Sequence, residues 1–152
     1  MADVRSAVLQ QRPVTDALIA MIATATARPC GDHESPPDGS LADGYTYVYS
    51  IDGGEFDGPP FWSPESDGIL VYQIMSVGYD RDHVEWIADR VRLTMLSRSP
   101  AGAFQVPFPA MAGLAVVHRE PDGTSPGVIP EGPPANRVYN IPERYRLAVV
   151  ST

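Results

Sequence analysis

The residues with the best spacing for chemistry are two carboxylates on one predicted helix. Glu85 and Asp89 are four positions apart in the segment that follows Asp80, so both side chains share one face of that helix. In an enzyme such a pair can bind a divalent ion or divide the acid and base roles. Arg81 and Arg92 flank the pair at the spacing of surface ion pairs. We therefore interpret this face as solvated rather than catalytic.

A second group of potential ligands lies near the only cysteine. Cys30 and His33 have the spacing of half a zinc site, and Asp32 and Glu34 stand beside them. No second Cys or His pair follows at a useful spacing, because the other two histidines are isolated. We interpret this segment as a loop with incidental polar residues and expect neither a metal nor another cofactor. A single cysteine also excludes an internal disulfide framework.

The junction at Gly78 is a third place where chemistry could occur, because a strand pattern there gives way to a helix pattern. The sequence "SVGYDRD" has one glycine and places acid at the helix start, whereas a phosphate loop needs several glycines and usually a lysine. It also lacks the Gly-x-Ser-x-Gly pattern of a nucleophile elbow. The sequence therefore contains no set of residues that converges on a reaction, and we expect a non-enzymatic protein.

Composition sets the class of the chain. Its 152 residues predict one domain, and 43% hydrophobic residues are typical of a globular fold. The 13 glycines and 16 prolines predict long loops between few regular elements. No signal-peptide pattern opens the chain, and its longest apolar run, "ALIAMIA", is too short to span a bilayer. We expect a soluble protein that is made in a cytoplasm and does not enter a membrane.

The charge balance limits the possible partners. The net charge is −8, and all 11 basic residues are arginine, which is typical of a GC-rich genome. An acidic chain does not favour binding nucleic acid over a broad surface, since such affinity comes from clustered Lys and Arg. A negative surface does suit a passage through which DNA moves without sticking.

The predicted elements form an α+β domain. Helical spacing of apolar residues predicts two helices, the first capped by Thr15 and the second starting after Asp80 or Asp82. His118 is expected to be a partly exposed sheet residue. The predicted ranges are helix Pro13–Ala27, strands Tyr45–Ile51 and Ile69–Val77, a helix ending near Leu96, and strands Gly113–Glu120 and Arg144–Val150. We therefore expect a single domain over residues 1–152 with a mainly antiparallel four-stranded sheet, two helices on one face, and a loosely ordered segment 1–12.

Two long loops rich in proline and glycine, Asp52–Gly68 and Pro121–Arg137, are the unusual features, since structureless loops of this length in a compact domain are usually functional or disordered. The first carries Phe56, Phe61 and Trp62, which are either contact anchors for a partner or side chains that fold back onto the domain's own core. The second contains Val128 and Ile129 and has the pattern of an arm that orders against a neighbour.

One part of the sequence resembles a known family. The segments "VYQIMSVGYDRDHVEWIADRVRLTML" and "YRLAVV", together with the order of elements, resemble tail terminator proteins of long-tailed, siphovirus-type phages of actinobacteria. The resemblance covers roughly Tyr45 to Arg98. The positions that carry it are Tyr72, Gln73, Ser76, Val77, Gly78, Asp80, Arg81, Glu85, Trp86, Ala88, Asp89, Val91 and Arg92.

This resemblance implies a virion structural protein rather than an enzyme. Such subunits assemble as a hexameric ring that caps the tail tube, ends its polymerisation and joins it to the head connector. The implied partners are further copies, the major tail tube protein and the head–tail connector, with DNA passing through the lumen without specific binding. The implied location is the head–tail junction of the virion, and the host cytoplasm during assembly.

We expect the interface with neighbouring subunits and the tube to include Phe56, Phe61, Trp62, Tyr79, Trp86, Val128, Ile129 and Arg137. Two alternatives remain open at this point. One is a head–tail adaptor or head-closure protein of the same virion. The other is a small cytosolic enzyme or ligand-binding domain, which requires Glu85, Asp89 or His118 to point inward.

Overall fold

The structure is a computed structural model that describes residues 9–51, 55–57 and 67–152, with the backbone alone for 55–57 and 67. Two α-helices and seven strands form an α+β fold. The helices are α1 (Arg12–Thr26) and α2 (Arg81–Leu96), and a 3-10 turn covers Pro134–Asn136. The strands are β1 (Cys30–Asp32), β2 (Tyr45–Ser50), β3 (Glu55–Asp57), β4 (Asp67–Gly78), β5 (Leu114–Pro121), β6 (Ile129–Glu131) and β7 (Val138–Ser151).

All seven strands belong to one sheet with the order β1-β2-β4-β7-β5. The short strands β3 and β6 pair with β4 and β7, respectively. Strand β1 is parallel to β2, whereas the other pairings are antiparallel. The centre of the sheet is the β4–β7 pair, in register from Asp67↔Val150 to Gly78↔Tyr139.

Both helices cover the same face of the sheet. The Thr15 hydroxyl of α1 lies 2.7 Å from the hydroxyl of Tyr72 in β4, and Arg92 of α2 donates to Glu143, two residues from Tyr145, which pairs with Tyr72. The core between helices and sheet is apolar, as this face requires. Its largest fully buried side chains include Tyr72, Tyr145, Leu18, Ile22, Leu70, Ile74, Ile87, Met95 and Leu147.

The start of α1 differs from the prediction. The helix begins at Arg12 after Gln11, which makes no side-chain capping bond, and has a proline in its first turn, where a missing N–H costs nothing. The predicted cap, Thr15, lies inside the helix and is 4% exposed. Its hydroxyl contacts Tyr72 because Thr15 faces the sheet. Of the predicted loosely ordered segment 1–12, residues 1–8 lie outside the described residues, and Leu9 packs in the core.

The junction between β4 and α2 agrees with the architectural interpretation of Gly78. Asp80 caps α2, its carboxylate accepting from the His83 N–H at 2.8 Å. A Cβ atom at position 78 would lie 2.9 Å from the backbone nitrogen of Val84 and 3.0 Å from His83 Nδ1. Glycine is therefore required by the close approach of the helix to the end of the strand.

The prediction of four strands was too low. All four predicted strands are present, but β7 begins at Val138 rather than Arg144, and the predicted loops contain β1, β3 and β6. His118 is exposed on β5, as predicted. Neither helix of the described part of the chain is long and apolar enough to cross a lipid bilayer.

The buried Thr15–Tyr72 contact predicts a stability effect. Thr15→Val keeps the side-chain shape but leaves the Tyr72 hydroxyl without this partner in the core, so the free energy of unfolding should fall by about 1–2 kcal/mol. Thr24→Val is the matched control, since Thr24 is exposed on the same helix and its hydroxyl donates to the Ala20 carbonyl; it should change stability by less than about 0.5 kcal/mol. Urea unfolding of both variants tests this, and equal effects would contradict a specific role for the buried contact.

Candidate protein-interaction surface

The segment around Cys30 and His33 does not assemble a metal site. His33 Nδ1 lies 2.7 Å from Asp32 Oδ1, and Arg12 donates to the other oxygen of Asp32 at 2.7 Å. These hydrogen bonds, the one from His33 first, lower the pKa of Asp32. Cys30 is half-buried against the core, and its burial raises its pKa to about 11. Within the described residues, no three His, Cys, Asp or Glu side chains come close enough to hold a metal ion.

The carboxylate pair on α2 lies on a solvated face. Glu85 and Asp89 are exposed, and Asp89 accepts from Arg92 Nη1 at 3.0 Å. Arg92 also donates from Nη2 to Glu143 at 3.1 Å. Because Arg92 joins the two acids, it anchors the middle of α2 to β7, which is a structural role. His118 lies on β5 and is exposed, and its Nε2 is 3.5 Å from Glu120 Oε2.

A row of exposed large side chains runs along the outer face of α2. Tyr79, Trp86 and Leu93 are 51%, 42% and 56% exposed. Trp86 and Leu93 are seven residues apart and share one face of α2 with little drift. Tyr79 lies just before the cap residue Asp80, and its ring packs against His83 in the first turn of α2. We call these three residues, together with the intervening His83 and Arg90, the α2 stripe.

Contacts within the α2 stripe hold its side chains in place. The rings of Tyr79 and His83 are 4.4 Å apart, and His83 Nε2 lies 3.1 Å from the Asp43 carbonyl. Arg28 and Arg90 place their guanidinium groups 5.6 and 5.1 Å from the Trp86 ring. Such cation–π contacts orient an aromatic ring while leaving it accessible.

A groove lies beside the C-terminal half of the α2 stripe. It encloses about 620 Å³ between α1, α2 and the segment 105–109. Its lining is mainly apolar, and Arg90 is the one charged residue among the lining residues of the described chain. The lining residues are Ala20, Met21, Thr24, Ala25, Arg90, Leu93, Thr94, Ser97, Gln105, Val106, Pro107 and Pro109.

A buried cation lies directly behind this lining. Arg119 is 3% exposed and donates to the carbonyls of Thr94 at 3.4 Å and Val106 at 2.5 Å, while its Nη1 lies 3.8 Å from Met21 Sδ. Its guanidinium also lies 4.2 Å from the Phe104 ring. The ion pairs of the described residues do not include Arg119. Burial, and then the charge of Arg98, lowers the pKa of Arg119.

The predicted interface residues fall into three groups. Tyr79 and Trp86 are exposed on the α2 stripe, and Arg137 is exposed after the 3-10 turn. Val128 packs against Val84 and Ile141 of its own domain, and Ile129 pairs with Asn140. Both side chains remain half-buried, so their contact with a neighbouring subunit stays a prediction. Phe61 and Trp62 lie outside the described residues, and Phe56 is described only by its backbone in β3.

The sequence analysis missed Leu93 and the groove. The spacing of Trp86 and Leu93 was available in the sequence, because both lie off the buried side of α2. The groove could not be found in this way, since its lining comes from three separate parts of the chain. Comparison with known proteins adds no identification: no family model matches the chain, and no curated protein matches it significantly.

The half-buried thiol gives a pH-dependent prediction. Its pKa, raised from 9.0 to about 11, means that the thiolate fraction at pH 8 is about 100-fold smaller in the folded chain than in the unfolded chain. Alkylation by iodoacetamide should therefore be about 100-fold slower without urea than in denaturing urea, and should accelerate about tenfold per pH unit up to pH 10. Mass spectrometry of the modified chain measures both rates. Equal rates would mean an open thiol and would restore Cys30 as a candidate ligand.

Proposed function

We propose that the chain is a non-enzymatic virion protein, a tail terminator subunit that assembles as a hexameric ring on the end of the tail tube. The observation that supports this best is the α2 stripe. It lies within the segment that resembles tail terminator proteins, and it exposes Trp86 and Leu93 on one face of α2 and Tyr79 just before the helix. Aromatic residues on a rigid element are typical anchors of protein interfaces, since little entropy is lost when they dock.

The geometry of the candidate catalytic residues also supports a structural role. The enzyme alternative requires Glu85, Asp89 or His118 to point inward, whereas all three residues are exposed. Asp89 borders an open depression beside Leu93, and there it pairs with Arg92. Arg92 links Asp89 to Glu143, so the best-placed acid of the pair contributes to helix packing. The α2 helix, which lies in the segment that resembles the family, thus has one side that packs on the sheet and an outward side suited to contact with a neighbour.

The charge of the chain is consistent with a ring through which DNA passes. A net charge of −8 disfavours retention of a polyanion in the lumen, because like charges repel. The described arginines around Trp86 are engaged with its ring and with the Asp43 carbonyl, so they do not form an extended phosphate-binding track. In this proposal DNA is cargo in transit.

The first experiment is native mass over a concentration series, alone and with the cognate tail-tube protein. We expect a species of six times 16.4 kDa, or rings on tube ends when the tube protein is present. A ring that ignores the tube but binds a portal-side protein would indicate the head–tail adaptor alternative. A monomer that also ignores the tube would contradict the proposal.

A substitution in the α2 stripe should weaken the ring. Trp86→Ser removes a 42% exposed anchor, and loss of an interface tryptophan typically costs about 2 kcal/mol or more, or about 30-fold in the association constant per contact. Val117→Ser is the control, because Val117 is 56% exposed on β5, away from α2. Sedimentation velocity should show dissociation of the Trp86 variant at concentrations where the control remains assembled; equal behaviour would remove the α2 stripe from the interface.

A further inference from the structure

The groove beside Leu93 combines an apolar lining with positive charge that no acidic side chain of the described residues pairs. The chain has 19 acidic and 11 basic residues, yet the only charged lining residue among those described is Arg90. Behind the lining, Arg119 is held by carbonyl oxygens and a thioether sulfur rather than by a carboxylate. Arg98, whose guanidinium lies 4.2 Å from the same Phe104 ring as Arg119, adds a third positive charge nearby.

The positive charges and the apolar lining determine which kind of ligand the groove can bind. A buried cation without an opposite charge is costly, and its field is weakly screened where water is displaced. The groove therefore favours a ligand that brings a carboxylate to the Arg90 side while it places apolar groups against Leu93, Met21 and Val106. Aromatic side chains suit this lining because they bury large area with few rotatable bonds.

The chain itself contains a segment of this chemistry. Residues 57–67, "DGPPFWSPESD", hold three carboxylates, two adjacent aromatic residues and no basic residue. Phe61 and Trp62 provide the apolar groups, and Glu65 follows Trp62 by three positions, about 10 Å along an extended chain. Three prolines reduce the entropy lost on binding.

We propose that the groove binds segment 57–67 of a second copy of this chain. Opposite charges at this contact attract two subunits that otherwise repel through their net negative charge. The contact is heterologous, because groove and segment are different surfaces, and such contacts close into rings when the rotation between subunits allows it. The ring itself rests on the proposed function, whereas the groove–segment contact does not.

The direct test uses an 11-residue synthetic peptide of residues 57–67 with a fluorescent label. Fluorescence anisotropy should show saturable binding to the full-length protein, weaker at high salt because charges contribute. Leu93→Glu and Arg90→Glu should each weaken binding at least about tenfold. A peptide with Asp57→Asn, Glu65→Gln and Asp67→Asn should lose a similar factor. Absence of binding, or binding unaffected by both groove variants, would overturn the proposal.

Two control variants match the groove variants. Val117→Glu places the same charge at a site with the same exposed fraction, 56%, as Leu93, and Arg81→Glu reverses an exposed charge on α2 outside the groove. Both should bind the peptide as the unmodified protein does. Thermal unfolding by circular dichroism identifies any variant that has lost its fold. If Leu93→Glu has lost its fold, Leu93→Gln replaces it.

A mixing experiment tests whether the segment comes from a second copy. A groove-defective chain (Leu93→Glu) and a segment-defective chain (Phe61→Ser with Trp62→Ser) should each be monomeric. An equimolar mixture should form a 1:1 dimer, since one intact groove then meets one intact segment. A mixture that stays monomeric while the peptide still binds would mean that the segment occupies its own groove, which overturns the proposed second copy.

The outcomes separate this inference from the proposed function. If both defective chains still form rings on tube ends, the groove–segment contact is wrong and the terminator role stands. If the peptide and the mixture behave as expected but no ring or tube binding occurs, the contact stands and the terminator role fails.

Discussion

The pairing of β4 with β7 over the full length of β4 is the constraint on which the remaining structure depends. It fills one edge of β4, and β2 and β3 fill the other, so β4 cannot shift without breaking pairs on both sides. The helix-facing side of β4 must then be covered, which fixes α1 through Tyr72 and α2 through the turn at Gly78. Because α2 returns against the end of its own strand, the direction of its outer face is set as well. The α2 stripe is thus held on a rigid element.

The sequence was sufficient for the elements with strong periodicity. The change of pattern at Gly78 predicted β4 and α2 nearly to the residue. It was not sufficient for β1, β3 and β6, because three-residue strands have no measurable period and these lie in segments rich in glycine and proline. Strand β7 was predicted from Arg144 only, whereas it begins at Val138 and contains Pro142. Pro142 is tolerated since it lies between the parts of β7 that pair with β6 and β5.

The candidate site was predictable only in its aromatic part. Trp86 could be placed from helical spacing, and Tyr79 from its position just before the helix, but the buried charge could not be predicted. Strict alternation along β5 from Leu114 and Val116 places His118 inward and Arg119 in solvent. The bulge between Val116 and His118 reverses this, so that Arg119 pairs with Leu147 on the helix side and His118 faces out. One extra residue in a strand therefore converts a surface arginine into the cation behind the groove.

The burial of Arg119 is unfavourable for the stability of an isolated domain. Among the described residues, Arg119 is held by neutral acceptors. For an isolated domain, a buried guanidinium held in this way is less favourable than an apolar side chain of similar volume. The bulge that buries Arg119 also interrupts the β5–β7 ladder. Both costs fall at one place, next to a groove with an exposed leucine and without acidic lining residues among those described. In the proposed contact between copies, this place lets another copy approach against the general repulsion of a chain with a net charge of −8. Under that proposal, the residues that make the isolated domain less stable supply the complementarity of the contact.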